Sequence, residues 1–241
     1  MNHWRSLVCV TFLLMSLSAS AASMFPQQFT ARYSVSGNGR ELGVMTRTVI
    51  AQGKDEFLFK SELKATHGLY ALLRVKVLET SRWQLRNGLV RPLSYSYKQS
   101  GPSSRQSQAS FDWGSNVVRV MHKNKSLELP ATVGMLDKLL YQLVLMRDLE
   151  SVKNPVQYTV VDGSKVKHYP IDRLGEEIID TPLGLLQTVK VQYHKPGSER
   201  TTTLWCAKSL HYLPVRLDHI EGEGERTSAL IQSVTGLTGQ R

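Results

Sequence analysis

The segment Leu185-Leu-Gln-Thr-Val-Lys-Val-Gln-Tyr193, the turn Pro196-Gly197-Ser198, the run Thr201-Thr-Thr-Leu-Trp-Cys-Ala207 and the run Tyr212-Leu-Pro-Val-Arg-Leu217 decide the fold class. Each run is short and rich in β-branched and aromatic residues, and tight turns separate them, which is the signature of consecutive antiparallel strands. Pro214 has no N–H to give to a ladder and suits the first residue of a strand after a turn. Trp205 and Pro214 read as residues that set packing and strand entry.

The same pattern extends towards the N-terminus. Phe29, Ala31, Tyr33 and Val35 alternate with Gln28, Thr30, Arg32 and Ser34, the period of a half-buried strand. Gly37-Asn38-Gly39 turns the chain, and Leu42, Val44, Thr46, Thr48 and Ile50 continue on the return strand. Gln52 to Asp55 form the next turn and Glu56 to Ala65 the third strand. Val75, Val77, Glu79, Ser81 and Trp83 share one side of a further strand, Asn87-Gly88 is a strong two-residue hairpin signal, and Leu89, Arg91, Leu93, Tyr95 and Tyr97 follow on one face. The His67–Leu73 run is apolar without alternation and fits a helical turn or a strand-to-strand crossover; a packed loop is the expectation, and an apolar lip of Tyr70, Leu72 and Leu73 over the sheet is the alternative. Between Lys98 and Ala109 the polar composition predicts a mobile loop, and Phe111–Trp113 with Val117–Met121 predicts one more hairpin.

One helix is expected, from Thr132 or Val133 to Leu149, because Leu136, Leu139, Leu140, Leu143, Val144 and Met146 recur at helical spacing. Asn154-Pro155 closes it. Packing on the open face of a curved sheet is the default for its apolar stripe; a membrane-surface or partner helix is the alternative. Beyond it, Val156–Val161 and Lys165–Ile171 form a hairpin, Glu176–Asp180 a short strand, and Thr227–Leu237 the last strand.

Residues 1–22 read as a cleaved signal peptide. Arg5 supplies the positive region, Leu7–Leu17 the apolar core, and Ala19-Ser20-Ala21 the small-residue cleavage site. The core is shorter than the ~18–20 residues of a membrane span, so no stable transmembrane anchor is expected after cleavage and the location is periplasmic. Residues 23–241, about 220 in all, fit one β-rich domain that buries a core without staples. Of two cysteines, Cys9 precedes the cleavage site and Cys206 alone remains, so no intramolecular disulfide is available. The net charge of +10 fits a soluble basic exported protein first and an anionic envelope-surface partner second; nucleic acid is a partner an exported protein rarely meets.

No catalytic constellation stands out. His67, His122, His168, His194, His211 and His219 form no metal-binding helical pair, and no cofactor motif occurs. His211 and His219 share a parity across a strand, with Asp218 nearby. Glu176, Glu177, Asp180 and the Glu221–Glu225 run are the carboxylates that a glycosidase or calcium site would need; a solvated strand edge or turn is the better reading of them. Trp205, Tyr70, Leu73, Trp83 and Tyr95 are the candidate ligand-contact or packing residues.

Four features resemble the domain of unknown function 3108 family of exported bacterial proteins. They are Phe29-Thr-Ala-Arg-Tyr33 with a Gly-x-Gly turn; Arg91-Pro-Leu-Ser-Tyr-Ser-Tyr97 after the Trp83 strand; Thr181-Pro-Leu-Gly184 leading into Thr188–Val191; and Leu204-Trp205 before Leu213-Pro-Val-Arg216. The resemblance implies a mainly β fold, a strongly curved antiparallel sheet or open half-barrel meander with one amphipathic helix packed on it. It carries no agreed catalytic residues. The expectation is a non-enzymatic envelope protein that binds or carries an apolar or lipid-like ligand. A scaffold docking a protein partner, or a hydrolase of envelope polymers, are the alternatives. The oligomeric state is open.

Overall fold

The computed structural model describes residues 28–150, 156–194 and 197–237. The expected signal segment and its cleavage site, Asn154-Pro155 and Pro196 lie outside the described residues. Fifteen strands make one sheet: β1 (Phe29–Gly37), β2 (Arg40–Ala51), β3 (Glu56–Ala65), β4 (Lys76–Arg86), β5 (Leu89–Ser100), β6 (Arg105–Asp112), β7 (Val117–His122), β8 (Lys125–Pro130), β9 (Leu136–Asp137), β10 (Val156–Asp162), β11 (Lys165–Thr181), β12 (Gly184–His194), β13 (Thr201–Ala207), β14 (Leu213–Ile220) and β15 (Arg226–Thr235). Two α-helices, α1 (Gly68–Leu72) and α2 (Tyr141–Glu150), complete it. The sheet order runs β8 to β1, then β15 down to β9, so the first and last strands pair at its centre and the edges are β8 and β9. Every ladder is antiparallel except β9 with β10, which is parallel and linked through α2.

The sheet is mostly β and open, yet it curls until its halves touch. Ser81 on β4 bonds Asp137 on β9 at 2.5 Å, and the His122 ring at the end of β7 packs over Gly163 in the β10–β11 turn. Bulges bend the strands on the way round: at Arg32/Tyr33 between β1 and β15, at Arg82/Trp83 between β4 and β5, at Arg173/Gly175 between β11 and β12, and at Trp205/Cys206 between β13 and β14. The concave side holds the core, with Phe29, Tyr33, Val49, Phe59, Trp83 and Val118 from one half, Val189, Val191, Cys206 and Ile231 from the other, and Leu139, Leu140 and Leu145 between them.

The turns follow the residue chemistry. Asn38-Gly39 and Asn87-Gly88 both have positive φ at two successive positions, the conformation whose twist matches a two-residue hairpin. Gly43 is required for a different reason: a Cβ there would lie 2.1 Å from the Lys64 carbonyl oxygen of the neighbouring strand.

Several expectations are corrected. The helix starts at Tyr141, not at 132 or 133, because Leu136 and Asp137 are taken into β9 and Leu139 and Leu140 into the turn after it. The stripe that looked helical is buried throughout, so its spacing fits both arrangements. Lys98–Ala109 is not a loop; β5 and β6 continue through it around a turn at 101–104, and β8 is a further strand. The His67–Leu73 run is a one-turn helix with no buried residue, not a packed loop. Glu176–Asp180 belongs to the single long β11. In β2 the buried parity is Gly43, Met45, Arg47 and Val49, an arginine having disguised the inward face. In β5 Leu93 is the bulged residue, so Val90 and Pro92 face inward together with Tyr95, and Leu89 and Arg91 do not.

Candidate functional site

The connections β1–β2, β3–β4, β5–β6, β7–β8, β10–β11, β12–β13 and β14–β15 all fall at one end of the curled sheet, because the meander alternates direction. At this mouth a cleft of about 430 Å³ is lined by Glu79, Lys138, Tyr141, Asp162, Lys167, Tyr169, Tyr193, Arg200 and His219, among others.

A ladder of tyrosines makes its apolar wall. The alternation of β11 and β12 brings Tyr169 and Tyr193 to the inner face, and the start of α2 places Tyr141 beside them. Tyr193 stacks on Tyr169 at 4.3 Å between centroids, and Tyr141 meets Tyr169 edge-on at 5.2 Å and Tyr158 at 6.0 Å. Such geometries add about 0.5–1.5 kcal/mol per pair beyond area burial. Tyr193 is only half-buried and presents its ring to the cleft.

Charges of both signs complete the site. Asp162 accepts from the Tyr169 hydroxyl at 3.1 Å and from the Lys167 ammonium, with the Lys138 ammonium at 3.8 Å. Burial works against the Asp162 charge, but the two lysines outweigh it and hold the carboxyl below its ordinary value. Burial, then the neighbouring Asp162 charge, pushes the Tyr169 hydroxyl well above its ordinary value, so it stays a donor. Across the mouth His219 bonds Thr202 Oγ1 at 2.8 Å and Glu221 Oε1 at 3.1 Å, and Glu221 pairs with Arg200 at 2.5 Å. Glu79 accepts from the Tyr95 hydroxyl at 2.7 Å. In the described part of the cleft the Gln142 side-chain oxygen is buried without a hydrogen-bond partner.

Deeper in the same interior lies Arg47, 6% exposed, its guanidinium 5.7 Å from the Tyr33 ring centroid. Its Nε has no hydrogen-bond partner. Its charge is felt by Tyr33, Tyr141 and Cys206, which places it between the two halves of the sheet. Burial raises the Tyr33 hydroxyl to about 12 and pushes the Cys206 thiol up as well, so Cys206 is a protonated core residue.

The five residues singled out from the sequence do not form one site. Trp83 is 1% exposed and stacks on Phe57 at 4.4 Å; Tyr95 is buried beside it and reaches the cleft only through Glu79. Trp205 faces the outer side of the other half. Its Nε1–H donates to Glu177 at 2.9 Å, and the Lys190 and Arg216 cations lie 4.9 and 4.6 Å from its ring centroid. Tyr70 on α1 and Leu73 directly after it are exposed. The carboxylates are dispersed too. Glu176 pairs with Lys208 and Arg173 on the outer surface, Asp218 is clamped by Arg216 and Arg226, and Asp180 is exposed. His211 precedes β14 and His219 lies near the far end of that strand, about 20 Å of strand apart. Among the described residues no cluster of three metal-ligating side chains occurs, and no helix is long and apolar enough to cross a membrane.

Tyr141, Tyr169, Tyr193, Asp162, Lys138 and Lys167 were not foreseen. The alternation of Lys167, Tyr169 and Ile171 carried a usable signal for the inner face. Nothing local placed Tyr141 beside them.

The fold is similar to a β-barrel-like protein of the domain of unknown function DUF1849 from Brucella abortus, with a TM-score of 0.58 at 10% identity over 87% of this chain and 98% of that one. A predicted lipoprotein from Parabacteroides distasonis ATCC 8503 matches with a TM-score of 0.37 at 13% identity over 88% of this chain and 98% of that one. No curated protein matches the chain. With residues 28–230 matching its profile, the chain belongs to the family described as "Protein of unknown function (DUF3108)".

Proposed function

We propose that this is an exported, non-enzymatic binding protein of the cell envelope, and that its ligand is an amphipathic, lipid-like molecule held at the mouth of the half-barrel. One observation carries the reading: the Tyr169–Tyr193 stack opens on a cleft of about 430 Å³ whose rim has both signs of charge. Apolar walls with a few convergent polar groups are the usual make-up of a small-molecule site. The signal-like residues 1–22 support export.

The concave face under the helix is not where this ligand would sit. Leu143, Leu145, Met146 and Leu149 of α2 fill the concave side themselves, so the ligand's apolar part lies against the tyrosines and its polar head at Lys138, Lys167 and Arg200. The dispersal of Glu176, Asp180, His211 and Asp218 supports binding over hydrolysis.

Organic extraction of the protein purified from cells, followed by mass spectrometry, tests this. An amphiphile should co-purify, and Tyr193→Ala, which removes the half-buried ring of the stack, should sharply reduce its amount, with unchanged far-ultraviolet circular dichroism checking that the variant is folded. An empty extract, together with no shift of the Tyr193 ring resonances on titration with envelope lipids, removes the proposal.

A further inference from the structure

The β3–β4 connection does something the other turns at the mouth do not. Its single helical turn, α1, exposes Leu69 at 66%, Tyr70 at 55% and Leu72 at 80% and buries none of its residues, and Leu73 directly after it is 40% exposed. Large apolar side chains grouped this way on a surface mark an interaction site. The connection is fixed rather than trailing: Leu73 N–H bonds the Leu69 carbonyl, Val75 N–H bonds the Tyr70 carbonyl, and Gly68 and Arg74 at its two ends have positive φ.

Positive charge flanks this lip on one side. The β5–β6 turn packs against its base, since a Cβ on Gly101 would meet Val75 Cγ2 at 3.0 Å and the Leu73 carbonyl at 3.6 Å. Beside that turn, Lys98, Arg105 and Lys123 line a second cleft at the same end of the sheet. These three and Arg74 are exposed, and none of the four pairs with a carboxylate among the described residues. Lys64 and Lys76, by contrast, are held by Glu62 at 2.9 and 3.1 Å. An apolar projection flanked on its β5–β8 side by unpaired cations is complementary to an anionic bilayer surface, where the apolar groups enter the acyl boundary and the cations meet phosphates.

We propose that the mouth end docks on a lipid surface carrying anionic head groups, with Leu69, Tyr70, Leu72 and Leu73 inserted and Arg74, Lys98, Arg105 and Lys123 at the phosphates. Docking in this orientation turns the tyrosine cleft towards the bilayer. It does not depend on what that cleft binds.

The test is co-sedimentation of residues 23–241, which contain every described strand, with vesicles of phosphatidylcholine alone and of phosphatidylcholine mixed with phosphatidylglycerol. The chain should sediment with the mixed vesicles only, and less so as salt shortens the screening length below about 10 Å. Leu69→Ser with Leu72→Ser should weaken binding about tenfold or more. Lys98→Glu with Arg105→Glu should weaken it by at least about fivefold per cation. All four side chains are exposed, so unchanged near-ultraviolet circular dichroism of the buried aromatics checks that each variant is folded. Equal sedimentation with both vesicle types, no sedimentation with either, or undiminished binding by the leucine variant overturns the proposal. A dimer that the leucine variant disperses, with no vesicle binding, also overturns it and assigns the lip to a second copy of the chain.

Discussion

Ser81 Oγ on β4 donates to the Asp137 carboxylate on β9 at 2.5 Å, joining the middle of one half of the sheet to the outermost strand of the other. Asp137 also accepts from the Leu139 and Leu140 backbone N–H groups at 2.9 and 2.8 Å and so shapes the turn into α2. Asp137→Ala leaves three donors without their acceptor in a fully buried place. Its expected cost is about 2 to 4 kcal/mol, against about 1 kcal/mol for Ser81→Ala. Urea denaturation of the two variants measures both.

The same carboxyl makes stability depend on pH in a defined direction. Burial raises the Asp137 pKa from 3.8 to about 7, although Ser81 and the two backbone donors pull it down. The folded chain therefore holds this proton more tightly than the unfolded chain, and stability falls as pH rises from about 4 through about 7. Glu62 acts oppositely. Hydrogen bonds from Lys60, Lys64 and Lys76 lower it from 4.5 to about 2, so its contribution is present above 4.5 and is lost as pH falls through 2. Denaturation midpoints across pH should show Asp137→Asn flattening the neutral limb and Glu62→Gln the acid limb. An unchanged neutral limb in Asp137→Asn contradicts the assignment.

Trp205→Ala should cost about 3 to 5 kcal/mol, because the ring is 5% exposed and its removal opens a cavity under Lys190 and Arg216. Trp205→Phe keeps most of the packing but removes one of the two donors, the Trp205 N–H and Lys190, that hold Glu177 below its usual pKa. Its loss should be smaller, near 1 kcal/mol. Thermal denaturation of the pair separates packing from the hydrogen bond.

Gly43→Ala should destabilise by at least about 1 to 3 kcal/mol, the range for overpacking a filled site. The clash is with the Lys64 carbonyl oxygen, which is backbone and cannot swing away. A variant as stable as the parent would show that β2 and β3 separate easily at this end.

Arg47→Met should leave stability unchanged or raise it by about 1 to 4 kcal/mol. A buried cation with no carboxylate partner among the described residues carries a desolvation cost that its contact with the Tyr33 ring offsets only in part. A large loss of stability would mean that the guanidinium has a partner of its own. Chemical denaturation decides.

Local chemistry made the meander readable. Asn87-Gly88, and the alternations from Phe29 to Val35 and from Val75 to Trp83, each specify their strands without help from the rest of the chain. Reading failed where burial erased the contrast between periods. Leu136, Leu139, Leu140 and Leu143 are all inside, so a strand, a turn and a helix share one apolar spacing. It failed also where polar residues occupy both faces, as at Gln106 and Ser107 of β6, and where the bulge at Leu93 switches the inward parity within one strand. The mouth site was opaque for a related reason. Tyr141 reaches Tyr169 only because the β9–α2–β10 crossover brings it there, and no pattern within either segment records that meeting.

The strand order has a consequence for how the molecule can be cut. Every strand neighbours its predecessor in the chain except β9, which follows β8 across the open seam, while β15 returns to β1. The chain is thus a ring of strands whose covalent break and hydrogen-bonded break lie in different places. A circular permutant joining Thr235 to Phe29 by a flexible linker and opened within 131–135 would bring the two breaks together. Its termini would fall at the sheet edges, all antiparallel pairing would become sequence-local, and the long-range β1–β15 closure would no longer need to be found. Because folding slows as contacts become less local, that permutant should refold faster than the natural chain.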